Sequence, residues 1–201
     1  MINSKLIQKN KKFFNKFAGS YDIKIFKKWQ ESIRKKIIKE VAVKRNSKIL
    51  DTGCGTGELL KQLLLEKKNL KLYGIDVSDK MLEVAGRKLN NKANLKLSSV
   101  EKMDFKNNSF NYVFSEDAFH HYADYDLAMK NFYIILKIKG KLVVADVDFG
   151  FVLNKVFHFL EPGNNKMHSK KEFIELFKKY GFKKIRQKKI NLIQVLTIGE
   201  K

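Results

Sequence analysis

Of 201 residues only one is a cysteine, Cys54. A disulfide framework needs pairs and a thiolate metal centre needs several spaced ligands, so neither is expected. Arginine is also scarce, four residues against 38 lysines. Phosphate recognition favours the bidentate guanidinium fork, so even a net charge of +21 is weak support for a nucleic-acid surface. No apolar run is long enough to span a bilayer, and the Lys-rich N-terminal stretch lacks the apolar core and cleavage site of a signal peptide. The expected location is the cytoplasm. No internal repeat or low-complexity linker divides the chain, and 44% hydrophobic residues over this length suit one domain, 1–201, with a sizeable core.

The positive charge lies at the ends. Residues 1–48 carry 15 Lys and Arg against 3 Asp and Glu, residues 166–201 carry 11 against 3, and residues 49–165 are balanced at 16 against 15. Asn (16) and Ile (17) are abundant beside Lys, all residues with A/T-rich codons, so genome base bias accounts for the charge without a polyanionic partner.

What is present is a strand, a glycine turn and a helix. Ile49-Leu50-Asp51-Thr52-Gly53-Cys54-Gly55-Thr56-Gly57-Glu58 runs an apolar strand into three alternate glycines, and Leu59 to Leu65 continues as a helix. Such a turn lets a ligand touch backbone, and the N–H groups of the new helix point at whatever sits above the strand ends. Asp51 and Glu58 flank the turn with negative charge and no GK[ST] lysine follows, which disfavours a P-loop. The next strand, Leu70 to Ile75, ends in Asp76, about twenty residues on, where a carboxylate accepts both hydroxyls of a ribose. The loop reads GxGxG after Asp51 rather than the GxGxxG of nicotinamide dinucleotide sites, and so suits a ligand bearing an ammonium group.

From Lys48 strands and helices alternate, which predicts an α/β fold with a parallel sheet covered on both faces. Strands are expected near 48–51, 71–75, 95–98, 111–115, 141–146, 183–189 and 191–198, and helices near 57–67, 79–89, 125–136 and 170–180. Ser169 with Glu172 reads as a capping box and Gly181 as the residue that ends the last helix. The final two strands, separated by one or two residues, should pair antiparallel. Residues 5–44 read as one or two helices broken at Gly19-Ser20, with Phe13, Phe14, Phe17, Ile33, Ile37, Ile38 and Val41 at helical spacing.

The glycine turn between Asp51 and Asp76 closely resembles that of the class I S-adenosylmethionine-dependent methyltransferases, and the likeness extends over about residues 17–198. It implies a Rossmann-like, mostly parallel seven-stranded sheet with one antiparallel strand, with S-adenosyl-L-methionine as cofactor. It also implies a helical lid segment, 1–47, over a core, 48–201, with 147–168 as a substrate-side insertion. The resemblance assigns Asp51 and the Gly53, Cys54, Gly55 and Gly57 backbone to the methionine moiety, Asp76 to the ribose, and Val77 and Met81 to the adenine. Tyr21, in the Tyr21-Asp22 pair, resembles the entrance segment. Where the family has Gly-Asp-Ala, this chain has Ser98-Ser99-Val100. Ser99 accepts a single hydrogen bond without charge, and the Val100 backbone can share the adenine.

The segment Ser115-Glu116-Asp117-Ala118-Phe119-His120-His121 falls where substrate and methyl group would meet. It lacks the Asp/Asn-Pro-Pro-aromatic motif of enzymes that methylate exocyclic base nitrogens, and the only cysteine is in the wrong place for base C5 methylation. What remains is similar to the small-molecule, quinone-biosynthesis type. His120 or His121 is then a candidate general base, set against local packing, with no carboxylate evidently placed to orient an imidazole. Adjacent histidines point apart, so no metal is expected. Leu136-Lys137-Ile138-Lys139-Gly140 keeps part of the family's Leu-Lys-Pro-Gly-Gly turn. Phe149, Phe151, Phe157, His158, Phe159 and Glu161 fall in the stretch expected to set substrate specificity. The expected acceptor is a small molecule, methylated at O, C or N. The alternatives are an RNA methyltransferase using the basic termini, and a cofactor-binding protein without catalysis, suggested by Ser99 and the altered turn.

Overall fold

The computed structural model describes residues 3–19, 24–67, 69–148 and 165–201, with side chains of the second helix from Gln30 onward. Two helices lead, α1 (Ser4–Phe17) and α2 (Lys24–Val41). Then come β1 (Lys48–Thr52), α3 (Glu58–Glu66), β2 (Lys71–Asp76), α4 (Asp79–Leu89), β3 (Asn94–Leu97) and β4 (Phe110–Glu116). They are followed by α5 (Tyr125–Ile135), β5 (Leu136–Val147), α6 (Lys170–Lys179), β6 (Lys183–Lys189) and β7 (Gln194–Glu200). Short 3₁₀ turns at Val100–Lys102 and Phe119–His121 follow β3 and β4.

The helix ends form for local reasons. Ser78 and Asp124 accept hydrogen bonds from the N–H groups of Met81 and Leu127 and so cap α4 and α5. Ser169 and Glu172 form the expected capping box at α6. At the other end of α6 the Gly181 N–H bonds to the Lys178 carbonyl and the Phe182 N–H to the Phe177 carbonyl, the Schellman pattern, with Gly181 at φ +83.

The sheet order is β3-β2-β1-β4-β5-β7-β6, with β7 the one reversed strand, antiparallel to both neighbours. Strand alternation divides the core. Ile49, Leu72, Phe114 and Val143 face Ile33, Ile37 and Ile38 of α2 and Leu59, Leu60 and Leu63 of α3. Leu50, Val113, Leu142 and Val144 face Met129 and Phe132 of α5 and Phe173 and Phe177 of α6. Each such side chain stabilises the fold by about 1.5–3 kcal/mol when fully buried. Because β1 pairs with β2 on one side and β4 on the other, the strand order reverses at β1, and a crevice opens beyond the carboxyl ends of β1 and β4.

Three expectations are corrected. The link between the last strands is residues 190–193 rather than one or two, because the Asn191 side chain accepts from the N–H groups of Ile193 and Gln194 and widens the turn. Leu136 to Gly140 is an irregular start of β5, not a separate turn. Lys139 takes φ +63, its N–H bonds to the Lys201 carbonyl, and the Lys201 N–H bonds to that of Gly140. Phe17 is 40% exposed, stacked on Phe13 at the surface rather than buried on the sheet.

Candidate functional site

Gly53 and Gly55 stand in the left-handed region at φ 71 and 50. The N–H groups of Gly53 and Cys54 both bond to the Ile75 carbonyl, at 2.9 and 3.0 Å, which stitches the turn to the end of β2. A Cβ on Gly55 would meet nothing within 4 Å, so that residue leaves open space above the backbone. A Cβ on Gly57 would meet Leu89 and Ala85 at 3.0 and 3.1 Å, so this glycine serves the contact of α3 with α4. It is absent from the cavity wall, a correction to its expected place beside the methionine moiety.

Asp76 is tied into the same turn: Oδ2 accepts from the Gly55 N–H at 2.9 Å and Oδ1 from the Ser78 N–H at 2.8 Å. Burial raises its pKa against the pull of these backbone donors and of His121. Each oxygen keeps a lone pair for a hydroxyl donor. Asp51, 2% exposed, is pushed well above the ordinary carboxylate range by burial and by Glu116 and Asp76, with Arg34 opposing. Burial likewise pushes the Cys54 thiol up and leaves it a neutral, unreactive wall.

These residues line a cavity holding about 1040 Å³ of space, part of it continuous with solvent. Asp51, Gly53, Cys54, Gly55, Asp76, Val77, Met81, Ser99, Val100 and His121 all reach it. Its roof comes from α1 and α2, through Ile7, Asn10, Phe14, Gln30 and Arg34. The Asn10 Nδ2 donates to the His121 carbonyl at 2.8 Å, Lys11 pairs with Asp79, and Asn15 donates to Asp79 and meets Ser78. Phe14 packs edge-on against the His121 ring at 5.1 Å.

Ser115 and His120 do not line the cavity. Ser115 Oγ lies 2.8 Å from the Tyr122 hydroxyl, which donates to the Thr52 carbonyl and lies 2.9 Å from Thr52 Oγ1, a network that ties β4 to β1. The expectation that no carboxylate orients an imidazole is wrong. His120 Nδ1 lies 2.6 Å from Asp146 Oδ1, and the His120 N–H donates to Asp146 Oδ2 at 3.1 Å. Asp146 stands at the end of β5, 26 residues away, where only the folded sheet brings the two together. Tyr21 and the segment from Phe149 to Glu161 lie outside the described residues.

Several wall residues carry no sequence motif. Arg34 Nε donates to Glu116 Oε2 at 3.0 Å, both side chains about nine-tenths buried. Glu101 Oε1 accepts the N–H groups of Ala123 and Asp124. Asp117, at φ +48, takes the Gln194 amide on both oxygens. Among the described residues three buried wall atoms lack a hydrogen bond, Ser99 Oγ, Asn10 Oδ1 and Glu58 Oε1, and only the last is held in an ion pair, with Lys88. The unmet acceptor at Ser99, the open cradle at Gly55 and the Asp51 carboxylate fit a ligand that carries hydrogen-bond donors and positive charge, as S-adenosylmethionine does.

A family model described as a methyltransferase domain matches residues 43–193. The chain belongs to this family. Demethylmenaquinone methyltransferase of Staphylococcus aureus is 31% identical over 148 residues, 68% of this chain and 61% of that protein. The chain therefore spans less than two thirds of the length of such curated relatives. Among solved structures, a chain of the complex between the Haloferax volcanii Trm112 methyltransferase activator and a methyltransferase superposes with a TM-score of 0.81 at 19% identity, over 93% of this chain and 96% of that one. Phosphoethanolamine N-methyltransferase 2 of Haemonchus contortus, complexed with phosphomonomethylethanolamine and S-adenosylhomocysteine, gives 0.69 at 26% identity, over 77% of this chain and 38% of that one.

Proposed function

We propose that the protein methylates a small molecule at oxygen, carbon or nitrogen, in the cytoplasm. The observation that carries this reading is the roof. With α1 pinned to His121, Ser78 and Asp79 over the space above β1 and β4, a partly covered chamber supports a small acceptor over a polymer laid along an open track. The named acceptor of the Staphylococcus aureus relative, a demethylmenaquinone, is itself a small molecule.

In this reading the segment 1–47 is the lid and 147–168 the substrate-side insertion. When bound, the cofactor supplies an electrophilic methyl group on a sulfonium. Asp51 and the Gly53–Gly55 backbone hold the amino-acid end, and Asp76 takes the ribose hydroxyls. Val77, Met81, Ser99 and Val100 receive the base, with the Ser99 hydroxyl meeting its polar edge. Held under the roof, the acceptor is positioned and dried, and proximity with desolvation supplies much of the rate. His121 borders the acceptor space and His120 sets the Phe119–His121 turn through Asp146.

The test has two arms. S-adenosylhomocysteine at a hundredfold its dissociation constant should stabilise the fold by about 2.7 kcal/mol, with NAD and ATP without effect and Asp76→Ala losing most of the gain. Labelled methyl transfer should then go to a component of a metabolite extract and not to total RNA. Transfer to an RNA that persists at physiological salt would replace this reading with the nucleic-acid one.

A further inference from the structure

Six carboxylates line the cavity among the described residues, facing a single guanidinium, that of Arg34. Two have cations as partners, Glu58 with Lys88 at 2.6 Å and Glu116 with Arg34. Asp76 takes the backbone N–H groups of Gly55 and Ser78, and Glu101 those of Ala123 and Asp124. The Asp51 and Asp117 carboxylates are held by neither a cation nor the main chain among the described residues. Asp51 lies beneath the glycine turn, where the amino-acid end of the cofactor is proposed to sit, and one ammonium accounts for it. Asp117 lies one residue beyond β4, on the acceptor side, and no cation of the described residues forms a salt bridge with it. Among the described residues its side chain has one partner, the neutral Gln194 amide, at 2.7 and 2.8 Å.

The fold holds Asp117 there at a cost. A left-handed backbone is uncommon for a residue with a Cβ, and here the Asp117 N–H bonds to the Ala145 carbonyl, which locks it in place. A separate observation points to a ligand. Asn10 is 4% exposed and lines the same cavity, its Nδ2 is committed to the His121 carbonyl, and its Oδ1 has no partner. The carbonyl fixes the amide orientation, since a flip would set oxygen against oxygen. A buried amide oxygen of this kind calls for an N–H or O–H donor from whatever fills the chamber.

Resting on the reading of a small-molecule acceptor, we infer that the acceptor is an amine, received by the Asp117 carboxylate and the Asn10 amide oxygen, and that Asp117 takes its proton. The amine enters as an ammonium ion and passes one N–H proton to Asp117, which frees a lone pair on nitrogen. The nitrogen bonds to the methyl carbon as the carbon–sulfur bond breaks, and that electron pair stays on sulfur as a neutral thioether. The product leaves as the N-methylammonium ion, and Asp117 gives its proton to water. Burial, with Glu116 and Asp146, raises the Asp117 pKa against Gln194 and His120, which suits a group that must hold a proton in passing.

The experiment titrates the S-adenosylhomocysteine-loaded protein with ethanolamine, histamine, benzylamine and naphthohydroquinone by calorimetry, then assays labelled methyl transfer to each from S-adenosylmethionine. At least one amine should bind and be methylated on nitrogen. Asp117→Asn, which keeps an oxygen for Gln194, should weaken amine binding about tenfold and lower kcat/KM about 100-fold or more, with S-adenosylhomocysteine affinity unchanged. Asn10→Ala should weaken amine binding about threefold. Failure of every amine to bind, or undiminished amine methylation by Asp117→Asn, overturns the inference. Methylation of naphthohydroquinone at equal rates by both proteins overturns it too while leaving the small-molecule reading intact, and transfer to RNA alone removes both.

Discussion

On the β1–β2 side the cavity wall is largely backbone, with Gly53, Cys54 and Gly55 bonded to Ile75 and Asp76 within about two dozen residues of chain. On the β4–β5 side it is side chains brought from far apart, with Arg34 on Glu116, Asn10 on the His121 carbonyl, Gln194 on Asp117 and Asp146 on His120. The first construction is local and holds its shape by sterics. The second depends on buried charges and amides that must all be matched, so losing one partner strands the other. In the proposed assignment, such a chamber keeps its cofactor end constant while its acceptor end is retuned by single substitutions.

The largest effect should come from breaking the side-chain wall. Arg34→Ala leaves Glu116 buried without its partner and should cost about 3–5 kcal/mol in denaturant unfolding, with much of it recovered in the double variant Arg34→Met, Glu116→Gln. Next comes acid. His168, 4% exposed among Phe119, Tyr125 and Phe173, has its pKa lowered from the ordinary 6.5 to about 4 by burial and then by Lys166. Its folded pKa is depressed, so the unfolded chain binds the proton first. Stability is whole above pH 6.5 and falls as pH drops towards about 4, by up to about 3 kcal/mol from this group. His168→Phe should flatten that slope in unfolding measured against pH.

Breaking the backbone wall should cost the fold less and the ligand more. Gly55→Ala sets a Cβ into the cradle at φ +50, for about 1–2 kcal/mol of strain, and should weaken S-adenosylhomocysteine in calorimetry, whereas Arg34→Met, Glu116→Gln should leave it nearly unchanged. The smallest effect is expected away from the cavity. Ser169→Ala removes the cap of α6 and should lower stability by about 1 kcal/mol with ligand affinity unaltered.

This division also explains what the sequence discloses. The turn at Gly53 to Gly57, Asp76, the capping box at Ser169 and the ending at Gly181 are set by neighbours a few residues away or one strand on, so spacing reveals them. Pairs such as Arg34–Glu116 at 82 residues and Asn10–His121 at 111 leave no spacing signal, since only the packing of α1 and α2 over the strand ends brings them together. His120 shows the limit well. The adjacent histidines are visible in the chain, but which one faces the chamber depends on Asp146, and the carboxylate captures His120 and leaves His121 at the wall. The turn before β7 was misplaced for a similar reason, because the Asn191 side chain competes for N–H groups that periodicity gives to the strand.

The contacts that fasten α1 set a clock for the molecule. They are mostly polar, from Asn10, Lys11 and Asn15, and a hydrogen bond of this kind contributes a net of about 0.5–1.5 kcal/mol. Releasing three of them costs far less than unfolding the sheet, so the helix should swing away many times for each global opening. Amide hydrogens of α1 should exchange long before those of β1, and product escape rather than bond making would then govern how fast the protein completes each cycle.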